Sequence, residues 1–297
     1  MWVVFAFLSA LFAGATAILA KCGIQNVNSN VATALRTGVV LIFSWLIVFV
    51  VGSEDTIPDI APRTFLFLIL SGLATGGSWL FYFRALQLGE VTKVAAVDKF
   101  STVLTMLLAM LFLQERPGIW QLVGVVLIAA GTYLMLDRTA KKIQPAAAGN
   151  DASPSAKPHW LLYALLSALF ASLTAIFGRV GITDVESNLG TALRTGVVLI
   201  FAWGIVFAQH RQREIRSIDR KSWVFLVLSG LTTGGSWLCS YGALHDPQAL
   251  TSVVVPIDKL SVVVTVIFSR VFLKERLSRR ALFGLVLLVA GTLLQLL

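Results

Sequence analysis

The side chains that could do chemistry in this 297-residue chain are charged and aromatic groups set inside long apolar runs. They are Arg36, Trp79, Asp98 and Lys99 in the first half, and Arg194, Trp237, Asp258 and Lys259 in the second. Charges at membrane depth are costly and by default functional, so these eight are the candidate substrate-binding and gating residues. Their chemistry is recognition. Arg and Lys hold anionic groups, Asp offers an ion-pair partner, and Trp presents a ring face to apolar or cationic groups. Bond-breaking chemistry finds little support. His159, His210 and His245 fall at loops or segment ends, so no metal site is expected. No glycine pattern follows a strand to cradle phosphate, and no cofactor is expected. Ser78, Ser101, Ser236 and Ser261 are expected to bond to backbone or line a cavity, with an intramembrane hydrolase as the enzyme alternative.

The elements that must position these residues are set by composition. The chain is 57% hydrophobic and 13% charged, and its mean hydropathy is +0.84. Apolar stretches recur at 2–20, 31–51, 65–88, 91–113, 118–136, 160–178, 189–208, 223–244, 250–273 and 279–297. Each approaches the roughly 20 residues that cross about 30 Å of hydrocarbon. Lipid permits only helices or closed barrels, and barrel strands would alternate in polarity, which these do not. The expected fold is an all-α membrane protein with ten transmembrane helices. The first stretch ends in small residues like a signal peptide, but it lacks a basic leader and has a twin in mid-chain, so it is read as a helix. Cys22 and Cys239 occupy unmatched positions and are read as small packing residues.

The chain repeats itself. "SGLATGGSWL" at 71–80 returns as "SGLTTGGSWL" at 229–238, "TALRTGVVLIF" at 33–43 returns unchanged at 191–201, and "SALFAGATAI" from Ser9 is answered by "SALFASLTAI" from Ser167. Residues 1–136 form one five-helix unit and 160–297 a second. They are joined by a Pro-, Ala- and charge-rich linker at 137–159. Five is odd, so the second unit must enter the membrane from the opposite side. The expected architecture is therefore two inverted five-helix repeats, the layout of alternating-access transporters.

Lys and Arg set the orientation. One face carries Lys21, Arg84, Lys93, Arg138, Lys141, Lys142, Lys157, Lys274, Arg276, Arg279, Arg280 and the basic residues of "HRQREIRSIDRK" at 210–221, whereas the other carries Arg63, Arg116 and Arg179. The basic face is expected to be cytoplasmic, with both termini outside. This accounts for much of the +9 net charge. A nucleic-acid footprint on 210–221 is set aside in favour of an anchor beside anionic lipid.

Inferred depths join the charges into layers. Arg36 lies about five residues, roughly 8 Å, into its stretch, and Asp98 about seven residues, roughly 10 Å, into its own. Both are measured from the basic face. The expectation is an inner layer of Arg36, Trp79, Asp98 and Lys99 and an outer one of Arg194, Trp237, Asp258 and Lys259. Each Asp is expected to pair with the Arg of its own half, leaving Lys99 and Lys259 as spare cations that favour a carboxylate on the substrate. Gly76 with Gly77, and Gly234 with Gly235, are expected to allow close packing or supply helix flexibility. Pro256 stands where the first half has Ala96, so the second half should bend differently.

With "LFLQERPGIWQLVGVVLIAAGTYL" from Leu111 and "VFLKERLSRRALFGLVLLVAGTLL" from Val271, the duplicated layout resembles the EamA-like family of the drug/metabolite transporter superfamily, over essentially the whole chain. Gln114 and Lys274 stand where that family commonly has Gly before Glu. The resemblance implies a multi-pass protein of a bacterial plasma membrane that moves small metabolites, often outward, without ATP or a bound cofactor. The membrane-embedded Glu that related small multidrug transporters carry in their first helix is absent from 2–20 and from 160–178. Together these readings predict a secondary transporter, not an enzyme, exporting small polar metabolites that are amino-acid-like or carboxylate-bearing. Proton or counter-substrate coupling fits it, and nucleic acid is not a partner. The alternatives are a facilitative uniporter or exchanger, and a membrane-embedded structural or interaction protein whose charged layers only hold the bundle.

Overall fold

The computed structural model describes residues 2–114, 117–136, 159–181, 185–244, 260–275 and 277–295. All regular structure among them is helical. The α-helices among the described residues are α1 (Trp2–Gly23), α2 (Ser29–Val51), α3 (Pro62–Leu88), α4 (Val91–Phe112), α5 (Ile119–Met135), α6 (His159–Gly181), α7 (Ser187–Ala208), α8 (Arg220–Leu244), α9 (Ser261–Phe272) and α10 (Arg279–Leu294). Two 3-10 turns, Glu54–Asp59 and Gln212–Ser217, follow α2 and α7. Seven helices, α1 to α4 and α6 to α8, are long and apolar enough to cross a membrane, while α5 and α9 are apolar but shorter. The expected segment 250–273 is described only from Leu260, so Pro256, Asp258 and Lys259 lie outside the described residues, as do linker residues 137–158 and His245.

Local chemistry sets the helix ends. Asn28 Oδ1 accepts the Asn30 N–H at 2.9 Å, Glu186 accepts those of Asn188 and Leu189, and Ser278 Oγ accepts that of Ala281. Each such cap satisfies an orphan donor and is worth about 1 kcal/mol. Pro62 opens α3, where its missing N–H costs nothing, and Gly52 closes α2 at φ 72°. Several helices begin two or three residues ahead of the expected apolar run, as at Pro62 and Arg220.

Packing interleaves the two halves. α1 lies chiefly against α8, and its sequence equivalent α6 lies against α3. Meanwhile α2 meets α7 and α5 meets α10, each its own counterpart. One core cluster gathers Ile24 from the end of α1, Val31 from the start of α2, Leu86 from the end of α3, Val94 from the start of α4, Ala164 from the start of α6 and Leu226 from the start of α8. The end of α1 and the beginning of its twin α6 therefore share one end of the bundle, so the twins run in opposite senses. At the α5–α10 crossing, an added Cβ on Gly131 would lie 2.5 Å from the Gly284 carbonyl oxygen, and one on Gly291 2.6 Å from that of Gly124. Only glycine permits such an approach. Outward faces are apolar, with Val50 84% and Ile200 76% exposed, as suits helices surrounded by lipid.

Candidate functional site

Arg36 lies in the second turn of α2 and is 4% exposed. Its Nε donates to Ser229 Oγ at 3.0 Å, and its Nη2 donates to the Ser229 carbonyl at 3.4 Å and to Thr233 Oγ1. On the opposite side α3 supplies two rings, with the Phe83 centroid 4.6 Å and the Trp79 centroid 5.5 Å from Arg36 Cζ. The guanidinium is thus gripped by both copies of the repeated ten-residue stretch, Trp79 from the first and Ser229 and Thr233 from the second. Thr33 and Thr37 flank it on α2 but turn their hydroxyls back to the Ser29 and Thr33 carbonyls at 2.7 Å. That leaves the arginine as the polar group α2 sends across to α8.

The expected pairing of Arg36 with Asp98 is corrected. Asp98 Oδ2 lies 3.7 Å from Lys99 Nζ, and among the described residues no carboxylate stands within ion-pair distance of Arg36. The expectation failed for a geometric reason. The roughly 100° between neighbouring residues on a helix separates their Cα–Cβ directions, but the long lysine stem bends back to its neighbour. Of the first-half pair of candidate cations, Lys99 has a carboxylate neighbour and Arg36 has none among the described residues. Ser101, one turn beyond, donates to the Asp98 carbonyl at 2.6 Å.

In the second half Arg194 and Trp237 are half-buried on α7 and α8, while Asp258 and Lys259 lie outside the described residues. Where α7 crosses α3, an added Cβ on Gly72 would fall 2.9 Å from the Arg194 carbonyl oxygen. The equivalent crossing of α2 and α8 brings Gly230 within 3.3 Å of the Arg36 carbonyl in the same sense. The glycine pairs are sockets for phenylalanine rings. Added methyls would lie 2.6 Å from Phe201 at Gly76 and 2.9 Å from Phe170 at Gly77. At Gly234 one would overlap Phe43, whereas at Gly235 the nearest atom of Phe12 is 3.6 Å away. α3 and α8 run unbroken through these positions.

Residues that motif reasoning missed hold the corner between α3 and α4. Glu275, the Glu of "LKER", accepts the Val91 N–H at 2.8 Å, the Thr92 N–H at 3.0 Å, the Thr92 hydroxyl at 2.6 Å and the Ser269 hydroxyl. Lys21 donates to the Gly89 carbonyl at 2.7 Å and to that of Leu86. An anion on the amide end of α4 and a cation on the carbonyl end of α3 both complement the helix dipoles. Ser236 donates to the Ser9 carbonyl at 3.0 Å, a backbone bond of the expected kind, and serine hydroxyls also meet across the halves, with Ser9 and Ser236 3.1 Å apart and Ser78 and Ser167 3.2 Å apart. Cys22 and Cys239 are free thiols, and the described residues hold no group of three metal-ligating side chains.

Span-length apolar helices around a buried charge define an integral, multi-pass membrane protein. The chain belongs to the EamA-like transporter family, whose model matches residues 1–137 and again 158–297. Over 134 residues it is 47% identical to a Sinorhizobium sp protein named "Uncharacterized transporter in cobO 3'region", covering 45% of this chain and 95% of that one. Over 150 residues it is 29% identical to "Uncharacterized transporter YxxF" of Bacillus subtilis (strain 168), covering 50% of this chain and 47% of that one. The chain thus spans about half the length of the Bacillus relative it matches. A crystal structure of a protein superposes with a TM-score of 0.62 at 19% identity, over 97% of this chain and 94% of that one, a likeness of fold.

Proposed function

We propose that this protein is a secondary transporter of small, carboxylate-bearing polar metabolites, and that it exports them by alternating access. In this reading the chain crosses the membrane ten times as two inverted repeats, at 1–136 and 160–297, with both termini outside. The observation that carries it is Arg36, a buried guanidinium whose described partners are two neutral side chains, a carbonyl and two ring faces. A desolvated cation with neutral partners and no counter-charge gains most from an arriving anion. Asp98 and Lys99 neutralise each other close by and leave the layer with a net positive charge.

Reconstitution into liposomes tests the reading. Saturable counterflow of an amino-acid-like or carboxylate solute in the wild type, and its loss in Arg36→Gln, is the expected result. Flux of uncharged analogues at the same rate would refute the anion preference, and the absence of flux for every solute would favour a scaffold. Dependence on an imposed proton gradient separates coupled export from facilitated exchange. Reporter fusions at the C-terminus check the orientation.

A further inference from the structure

We propose that the turn between α7 and α8 binds the headgroups of anionic phospholipids. The turn exposes Arg211, Arg213, Arg216, Arg220 and Lys221 against Glu214 and Asp219. Both carboxylates are engaged. Glu214 pairs with Arg211, and Asp219 Oδ2 accepts the Ser222 N–H at 3.0 Å, a bond that, with the Ser222 hydroxyl, holds its carboxyl below the usual carboxylate range. The side chains of Arg213, Arg216, Arg220 and Lys221 make no ion pair or hydrogen bond with any described residue, so four exposed cations face outward.

The turn is a rigid platform at the right level. Ile215 and Ile218 pack against the core cluster beneath it, so its arginines stand on a fixed backbone. Trp203 and Phe207, with ring centroids 5.6 Å apart, lead into it, and Trp223 follows in the first turn of α8. Tryptophans at helix ends mark the interface between hydrocarbon and headgroups, which places the cations among phosphates. The fold does not require this charge. The equivalent turn Glu54–Asp59 has nearly the same backbone, entering at φ −96° and leaving at ψ 118° against −91° and 123°, yet it carries Glu54, Asp55 and Asp59. One geometry thus carries opposite charge at its two occurrences. Guanidinium forks bind phosphate oxygens in pairs, and basic clusters at a membrane surface attract anionic lipid within about a Debye length, ~8 Å at physiological salt.

The test uses the purified full chain in nanodiscs of phosphatidylcholine alone or mixed with phosphatidylglycerol, with thermal unfolding as the readout. The expected result is a higher Tm with phosphatidylglycerol. That difference should disappear in Arg213→Gln/Arg216→Gln and at high salt, and persist in Glu54→Gln/Asp55→Asn. The same Tm in both lipids, or a full phosphatidylglycerol response in the double arginine variant, overturns the proposal and leaves the cluster as an orientation signal used during insertion. A Tm rise caused by a short oligonucleotide, but not by phosphatidylglycerol, would assign the turn to nucleic acid instead. None of these readouts depends on which solute the protein carries.

Discussion

Arg36 Nε donates to Ser229 Oγ at 3.0 Å, across 193 positions of chain, and so ties the second helix of one repeat to the opening residue of the other repeat's glycine stretch. Its burial demands such partners, because an unsatisfied charged donor away from water is far more costly than a satisfied one. The bonds come from neutral oxygens, so they satisfy the donors without cancelling the charge. Phe83, 4.6 Å from Cζ, completes the enclosure with a ring face that favours a cation. Arginine suits this place because its planar fork can stack and donate at the same time.

Ser229→Ala removes one acceptor from a charged donor and is expected to lower stability by about 1.5–3 kcal/mol. Arg36→Lys keeps the charge but loses the fork and the stacking face, so its flux should fall well below wild type even where the protein still folds. Denaturation midpoints and liposome flux, measured together, check both. Wild-type flux in Arg36→Lys would mean that a point charge suffices and that the ring contacts are incidental.

The glycine sockets give a graded prediction. Gly76→Ala and Gly234→Ala drive a methyl into Phe201 and Phe43, and overpacking of this kind costs about 1–3 kcal/mol. At Gly235 the nearest Phe12 atom lies at 3.6 Å, ordinary van der Waals contact, so Gly235→Ala should be neutral or stabilising by up to about 1 kcal/mol. Phe43→Leu should rescue Gly234→Ala in a double-mutant cycle. Equal losses at Gly234 and Gly235 would show that helix flexibility, and not the socket, is what the glycines supply.

Glu275 joins the loop after α9 to the start of α4, the helix that carries Asp98 and Lys99. Glu275→Ala leaves the Val91 and Thr92 amides without their acceptor, a loss of about 1–3 kcal/mol for groups that are not solvated. Glu275→Gln should fall between wild type and Ala because one amide oxygen still accepts. Tm measurements on the three proteins check this order.

Gln114 and Lys274, the residues before Glu in the two copies of the "QER" and "KER" corner, both adopt left-handed backbone, at φ 54° and 56°. A side chain there is strained by roughly 1–2 kcal/mol, whereas glycine is not, though glycine loses more freedom on folding. This gives a physical reason for the glycine that the family commonly places before Glu. Lys274→Gly is therefore expected to be tolerated and to raise stability by up to about 1 kcal/mol. A loss of that size would show that the lysine side chain does more than endure the turn.

Much of this architecture is legible in the sequence, because lipid allows so few alternatives. An apolar run of the right length is a helix, and a repeated run is a repeated helix, so α1 to α4 and α6 to α8 follow from composition alone. The partners of Arg36 are not legible in that way. Depth along a helix gives height but not azimuth, and at one height Asp98, Ser229 and Thr233 all compete for the guanidinium. A clue was available in identity itself. "TALRTGVVLIF" is unchanged in both halves and ends in the very phenylalanines, Phe43 and Phe201, that fill Gly234 and Gly76. Residues repeated in both halves mark contacts made twice across the interface, as with Ser9 on Ser236 and Ser78 on Ser167. Glu275 was legible as part of a motif but not as a cap, because the amides it caps, those of Val91 and Thr92, lie in the other half of the chain.

The last prediction concerns motion. The two halves are equivalent in sequence but not in packing, since Arg36 is buried while Arg194 on α7 is half-buried. In an inverted repeat, exchanging the conformations of the halves exchanges which end is closed. The layer around Arg36 and Trp79 and the layer around Arg194 and Trp237 should therefore open in alternation. Single cysteines at Trp79 and Trp237, on a background lacking Cys22 and Cys239, report on each layer. Ser101, half-buried one turn beyond Asp98, gives a reporter that spares the ring over Arg36. Added substrate should raise thiol labelling at one layer and lower it at the other, because a ligand shifts the balance only by binding one state better. Ser101→Cys should move with Trp79→Cys. Labelling of both layers at once, unchanged by any substrate, would mean a static lock or pore, and alternation between the layers would have to be given up.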